Sequence, residues 1–541
     1  QPDTTSYRLR KFIQRHRTGF GASVALLAAL LLGLAGTLWQ ARVAQAEAAR
    51  AQAVNGFLQD MLAAADPIGG RGRDITVAEV LDEASQDVAT RFGADPPVEG
   101  AVRLTLGVTY RGLGDYATAD SQLTRALALT EAAYGSRHRE TAEALSQLGQ
   151  LRMEVTRFDS ADSLLTRALA LRRSLRGVPP DDLARSLLNV GTVALQLGDI
   201  DRAFALTEEA LLLSERFSTP QTTEHRDLRN NIRYTLAIAH YDRGTYRDAD
   251  SLLTLIETEV VGWADDEANR GRPPFYLGGV QSIHAWVKDY LGERDAILPL
   301  LHASFATRRA LHGEEHPHMA VIHNDLAYYH QYLGNDYALA EGHYQTSLRL
   351  MRAGGDEVLY ELPITMQNLA VLYRATGRYD EALPLLTEAL RLQREAVGDE
   401  HYQVASILAH IARIHHLQGD LPRAIATHEE ALAMRERTLG VHTSTAISHQ
   451  ALGEVLHDAG RYDDAETQHR SAVAVQTEAL GPAHPDTAEA EVLLAETLIA
   501  RGEPAEARAL LAHALPILDA HYDGDYSVLD RGRALEVQLD E

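Results

Sequence analysis

The 541-residue sequence predicts an all-α fold, a superhelical solenoid of stacked helix pairs behind one N-terminal transmembrane helix. Three observations carry that expectation. A turn followed by alanine recurs at a near-fixed interval along most of the chain. Around each alanine, apolar and small residues fall three, four and seven apart. No charged residue stands between Thr18 and Ala41. Composition agrees, since 45% hydrophobic and 23% charged residues describe a folded protein, and the length exceeds what one compact core serves.

The uncharged stretch comes first, and its centre reads Val24-Ala-Leu-Leu-Ala-Ala-Leu-Leu-Leu-Gly-Leu34. Roughly 20 apolar residues cross a hydrocarbon core, and a buried helix is rarely apolar on every face for so long. The sequence therefore reads as a basic cytoplasmic segment at 1–17, with Arg8, Arg10, Lys11, Arg15 and Arg17, then a transmembrane helix at 18–41 ending near Trp39. The positive-inside rule places the N-terminus in the cytoplasm and everything after Arg42 outside, so the expected location is the cytoplasmic (inner) membrane, single pass. Ala44-Gln-Ala46 would suit a signal peptidase, but the apolar run is longer than the about 7–15 residues of a signal sequence. Ala25, Ala29, Gly33 and Thr37 form a small-xxx-small line, either a pairing face for a homodimer or chance spacing in an alanine-rich chain. Residues 42–99 read as a helical stalk, ending at Asp66-Pro67, and N-terminal capping helices.

Beyond the stalk the interval is regular. Ala119, Ala161, Ala203, Ala249, Ile297, Ala340, Ala382, Ala424, Ala465 and Ala507 stand 42, 42, 46, 48, 43, 42, 42, 41 and 42 residues apart. This gives about ten units over 100–516, followed by a capping segment at 517–541. Twelve residues before the alanine stands a small residue after leucine, as at Leu106-Gly107, Leu148-Gly149, Leu369-Ala370 and Leu452-Gly453. After the alanine come an apolar residue at +4 and alanine at +7, as at Leu123/Ala126, Leu165/Ala168 and Leu386/Ala389. Two amphipathic helices per unit follow, with small residues letting their axes approach. The units around Arg157, Ile297 and Pro504 depart from the pattern, and connectors lengthen at 218–224 and 262–275, the latter with Arg272-Pro-Pro-Phe.

The motif Leu-Gly/Ala-x2-Tyr…Ala-x3-Leu-x2-Ala resembles the tetratricopeptide repeat. Connectors such as Gly313-Glu-Glu-His-Pro-His318 and Gly481-Pro-Ala-His-Pro-Asp486 are similar to those of its kinesin-light-chain variety. The resemblance implies that the first helix of each unit lines a concave groove for a protein or peptide ligand. By position, that groove presents Asn324, Tyr328, Gln331, Tyr332, Gln367, Arg374, Arg413, His416, Gln450, Glu454 and His457. Amides, tyrosines and arginines can bond an extended backbone and stack on side chains. An ordinary solvated helix face is the alternative for any one of them.

The N-terminal stretch carries a second resemblance. Ser6-Tyr-Arg-Leu-Arg-Lys-Phe-Ile-Gln-Arg-His-Arg17, the apolar stretch, the Ala/Glu/Arg stalk and Phe57-Leu-Gln-Asp-Met-Leu62 before Asp66-Pro67 resemble the join in bacterial transmembrane serine/threonine kinases. It implies an extracytoplasmic interaction or sensor module whose kinase precedes the span. The alternative is a free-standing envelope scaffold with no kinase.

Catalytic patterns are missing. There is no Gly-x-Gly-x-x-Gly-x-Val, His-Arg-Asp, Asp-Phe-Gly or Gly-x-Ser-x-Gly, and the only lysines are Lys11 and Lys288, neither in a phosphate-binding loop. The absence of cysteine excludes zinc ribbons, iron–sulfur clusters and thiol catalysis. The chain is therefore expected to be non-enzymatic, without catalytic, cofactor or metal residues. His312-Gly-Glu-Glu-His316 formally matches the His-x-x-Glu-His zinc pattern, but Gly313 and Pro317 put it in a connector, where the continuous helix such ligands need is lacking. His428 and His469 occupy the +4 site where other units place leucine. They read as buried neutral imidazoles, or as a pH-responsive array titrating near about pH 6.5. A net charge of −25 excludes nucleic acid as a partner.

Overall fold

The computed structural model describes residues 12–15, 17–64, 77–216, 222–264, 273–354, 362–522 and 527–540. Among them all regular structure is helical, in two compact units, Gln1–Gly198 and Asp199–Glu541. Unit 1 holds α1 (Arg17–Ala64), α2 (Val77–Phe92), α3 (Pro96–Gly112), α4 (Tyr116–Tyr134), α5 (Arg139–Glu154), α6 (Phe158–Ser174) and α7 (Pro180–Gln196). Unit 2 opens with α8 (Ile200–Arg216), α9 (Thr223–Asp242), α10 (Tyr246–Ala264), α11 (Leu277–Tyr290), α12 (Ile297–His312), α13 (Met319–Tyr332) and α14 (Tyr337–Ala353). It continues through α15 (Leu362–Ala375), α16 (Tyr379–Val397), α17 (Tyr402–Leu417), α18 (Leu421–Leu439), α19 (Thr443–Asp458) and α20 (Tyr462–Leu480). It closes with α21 (Pro485–Arg501), α22 (Pro504–His521) and α23 (Ser527–Asp540).

Within each unit a helix packs chiefly on its neighbours in the chain. The repeated residues explain the pairing. A Cβ added to Gly107 would stand 2.6 Å from Leu123, and one added to Gly149 would stand 2.7 Å from Leu165. The small residue of the first helix is thus the seat for the +4 residue of the second. The alanines at the repeat positions, from Ala119 to Ala507, and Ile297 in the same place, are wholly buried. The unit around Ile297 accommodates its larger side chain after an extra 3-10 turn at Arg294–Ala296.

Connectors are set by two devices. The turn after a first helix places one residue at positive φ, which glycine adopts without a steric penalty, as at Gly377 with φ 74°. Thr156 and Asn335 stand at the same repeat position with φ 58° and 49°, so the departure around Arg157 includes a β-branched residue in the left-handed region. In four connectors the turn after a second helix ends in a histidine that caps the next first helix. The amides of Glu140, Gln403, Ser444 and Asp486 donate to Nδ1 of His138, His401, His442 and His484. On the second helices arginines reach carboxylates of the following unit, as in Arg394 to Glu430 at 3.0 Å and Arg470 to Glu506 at 2.7 Å. These exposed pairs add little stability.

The N-terminal expectation is corrected. Among the described residues no helix is long and apolar enough to cross a membrane. The stretch is diluted by Gly19, Gly21, Gly33 and Gly36 and by Thr18, Ser23 and Thr37, which contribute little to transfer into hydrocarbon. Residues 18–41 are instead the first part of a helix that continues without a break to Ala64. The transmembrane helix, the single-pass inner-membrane location with a cytoplasmic N-terminus, the membrane anchor and the homodimer face along Ala25, Ala29, Gly33 and Thr37 therefore do not stand. Near its C-terminal end α1 covers the repeats. Phe57 is buried with Leu81, Val88 and Val102, and meets Phe92 edge-on at 5.9 Å. The cluster from Arg8 to Lys11, Asp66-Pro67, and residues 217–221 and 265–272 of the two longer connectors lie outside the described residues.

Candidate binding groove on unit 2

All the sequence-predicted groove residues fall on first helices of unit 2. Tyr328 and Tyr332 on α13 are exposed, with ring centres 4.4 Å apart. Tyr328 also meets Trp286 of α11 edge-on at 5.2 Å. Trp286 and Tyr290 each stand 42 residues before Tyr328 and Tyr332, so the repeat interval itself could have found them. Tyr290 is exposed and stacks on Tyr246 at 4.3 Å, which extends the aromatic surface toward α10.

Gln331 does not belong to this surface. It is buried and accepts a hydrogen bond from the Tyr344 hydroxyl at 3.0 Å. Asn324 accepts from Asn368 of α15 at 3.1 Å, while Gln367 and Arg374 are half-buried on that helix. Arg374 Nε is buried and makes no hydrogen bond. Burial first, and then the nearby Arg413 guanidinium, holds the Arg374 pKa below its ordinary value.

The C-terminal end of the groove is already paired. Arg413 Nη1 donates to Glu454 at 2.8 Å, and Glu454 also receives Arg531 of α23 at 3.5 Å. Arg531 further pairs with Glu496 of α21. His416 Nε2 lies 2.7 Å from Asp458, and His457 Nδ1 lies 3.1 Å from Thr497. Gln450 is half-buried on α19. The last helix thus folds an arginine back onto the groove, a contact that no periodic reading anticipates.

His428 and His469 are buried at the +4 sites. A Cβ on Gly453 would stand 2.3 Å from the His469 ring, the same seat that leucine takes elsewhere. Neither ring nitrogen of His428 is hydrogen-bonded. His469 has only Nδ1 near Thr497, at 3.0 Å. Burial first, then neighbouring cations, pushes both down to about 4. In the folded chain they are packing residues and do not titrate near the ordinary histidine value. His312, His316 and His318 stack on one another in their connector, where the His318 amide donates to His316 Nδ1 at 3.2 Å. Among the described residues no group of three or more His, Asp or Glu could hold a metal ion.

Stacked helix pairs, with a small residue seating each +4 side chain and a polar, aromatic first-helix face, define a repeat solenoid built for surface contact. The tetratricopeptide-repeat family pattern matches residues 98–174, 141–216, 362–437 and 444–520, just over half of the chain together. The chain belongs to the tetratricopeptide-repeat family, and it is a non-catalytic module. It is 31% identical over 107 residues to the photosystem I assembly protein Ycf3 of Synechococcus elongatus, covering 20% of this chain and 59% of that protein. It is 32% identical over 71 residues to a clustered mitochondria protein homolog of Danio rerio, covering 13% of this chain and 5% of that protein. The chain thus spans only a small part of the clustered-mitochondria relative. A crystal structure of kinesin-light-chain-like repeats from Podospora anserina is 22% identical, covers 39% of this chain and all of that one, and has a TM-score of 0.33.

The resemblance of residues 6–67 to the membrane join of bacterial serine/threonine kinases is corrected here. The family matches begin at residue 98 and are repeats throughout, and the join had depended on a membrane crossing that the described helices do not supply. The reading as the sensor module of a receptor-type kinase therefore does not stand.

Proposed function

We propose that the chain is a scaffold that binds a protein or peptide segment along the first-helix face of unit 2, without a kinase partner. The observation that carries this reading is the pair of exposed, mutually packed tyrosines, Tyr328 and Tyr332, beside the half-buried Arg374 with an unbonded Nε. Exposed aromatic rings and arginine side chains dominate protein recognition. Asn324, Gln367, His416, Gln450, Glu454 and His457 flank them and supply polar contacts to an extended backbone. Gln331 supports Tyr344 and is assigned no contact with ligand.

The test uses peptides selected on the full chain from a displayed random library. Replacing Tyr328, Tyr332, Arg374 and Arg413 together by alanine is expected to weaken selected peptides at least about 30-fold, the equivalent of one strong hot spot. The melting temperature should stay close to wild type, because none of the four belongs to the buried core. Unchanged affinity in that variant would move recognition off this face.

A further inference from the structure

The aromatic surface of unit 2 continues past Trp286 and Tyr328 to the rim where α9 ends and α10 begins. Tyr246 of α10 stacks on Tyr290 of α11, with ring centres 4.3 Å apart and planes 13° from parallel. Tyr241 of α9 meets these two rings edge-on, at 5.8 and 5.5 Å. Tyr246 takes one face of Tyr290, yet Tyr290 is 59% exposed, so its other face is open. Tyr290 and its neighbour Asp289 lie within electrostatic reach of Tyr328, which joins this rim to the groove. The charge beside the rings is negative and unanswered. Asp242, the last residue of α9, reaches solvent and lies within electrostatic reach of Tyr241 and Tyr246. Among the described residues it forms no ion pair. The adjacent Arg243 turns away, with its guanidinium 4.3 Å from the centre of the Phe204 ring and 3.2 Å from Asp201. Desolvation by the surrounding chain holds the Asp242 carboxyl pKa above its ordinary value, and no cation opposes that. Asp289 has only Arg294 Nε at 3.7 Å, beyond hydrogen-bond distance. Glu454, at the other end of the groove, has both Arg413 and Arg531.

A carboxylate without a counter-ion beside an open tyrosine face is a cation site that lacks its cation. The geometry points to an arginine subsite: a guanidinium of the peptide bound in the groove lies against Tyr290 and pairs with Asp242. A guanidinium suits both halves of the site, since its planar fork matches a carboxylate and its weakly hydrated face stacks on aromatic rings. The chain's own nearby lysine cannot fill the place, because Lys288 is held by Asp250 at 2.7 Å and Glu293 at 2.9 Å. A net charge of −25 draws a cationic segment toward the chain, and the rings and Asp242 fix where its arginine settles. This assignment rests on the groove reading above and adds the chemistry of one ligand position, at the end of the groove formed by α9 to α11.

The test selects random dodecapeptides on the full chain, then compares each selected peptide with a counterpart in which citrulline, uncharged and of the same shape, replaces arginine. Selected sequences should carry an arginine, and the citrulline counterpart should bind wild type about tenfold more weakly. That preference should fall to within about twofold in Asp242→Asn and in Tyr290→Leu, and should persist in Tyr290→Phe, which keeps the aromatic face. Far-ultraviolet circular dichroism reports folding. If Tyr290→Leu does not fold, Asp242→Asn, a change at a residue that reaches solvent and has no ion pair to lose, decides the question. Selected peptides without arginine, bound through Tyr328 and Tyr332, would overturn the subsite while leaving the groove intact. Equal binding of arginine and citrulline peptides would overturn it too, as would a preference that survives Asp242→Asn unchanged. A library from which nothing is selected would overturn subsite and groove together.

Discussion

Ala382→Glu is expected to melt the centre of unit 2, with a loss of roughly 4 kcal/mol or more, because it buries a carboxylate with no cationic partner. Ala382 is wholly buried, in one cluster with Leu369, Ala370, Leu386 and Ala389 where α15 and α16 approach most closely. Glutamate there must push the helices apart or carry a charge into an apolar contact. Each repeat leans on its neighbours, so the damage should spread to adjacent units before it reaches the ends. Hydrogen exchange resolves this, with protection lost first in α15–α18. A variant that melts like wild type would show that the repeated alanine is not the point of closest approach.

The second large effect is a dependence on pH. His428 and His469 have folded-state pKa values of about 4, below the ordinary 6.5. The unfolded chain therefore binds the protons first. Stability from these groups is complete above the ordinary value and is lost as pH falls from there toward about 4. Each histidine removes roughly 2 kcal/mol by pH 5, since every tenfold difference in proton affinity between the folded and unfolded chain is worth about 1.4 kcal/mol. His428→Leu combined with His469→Leu should make the stability profile shallower between pH 6.5 and 4.5, while His323 and His410, which burial also holds at about 4, keep the remaining slope. It should also raise stability at neutral pH, since leucine fills this seat over Gly107 and Gly149 and leaves no imidazole nitrogen unbonded. Denaturant unfolding at several pH values makes the comparison. A double variant with wild-type acid sensitivity would place the titration elsewhere.

Most of the solenoid could be read from residue types alone, for a physical reason. A seat that admits only glycine or alanine and a facing +4 side chain recur because every unit solves the same contact, as Gly107 under Leu123 repeats in Gly149 under Leu165. The groove was legible only in part. Tyr328 and Tyr332 lie four apart and share a face. Gln331 lies about 100° round the helix from Tyr332 and turns inward to Tyr344. A half-buried polar helix does not announce that rotation in its composition. Arg531 was missed because α23 stands outside the repeat interval. The membrane reading came from counting uncharged residues between Thr18 and Ala41. That count treats Gly33, Gly36 and Thr37 as equal to leucine, although they contribute little to transfer into hydrocarbon.

Ligand on the first-helix face of unit 2 is what everything above depends on, and site-specific photo-crosslinking probes that placement without relying on a loss of binding. A benzophenone amino acid placed at Tyr332, and separately at Thr387, an exposed position on the second helix α16, is irradiated with a peptide selected on the chain. Adducts are expected from position 332 and none from position 387. Adducts from position 387 alone would put the ligand on the opposite face and contradict the groove.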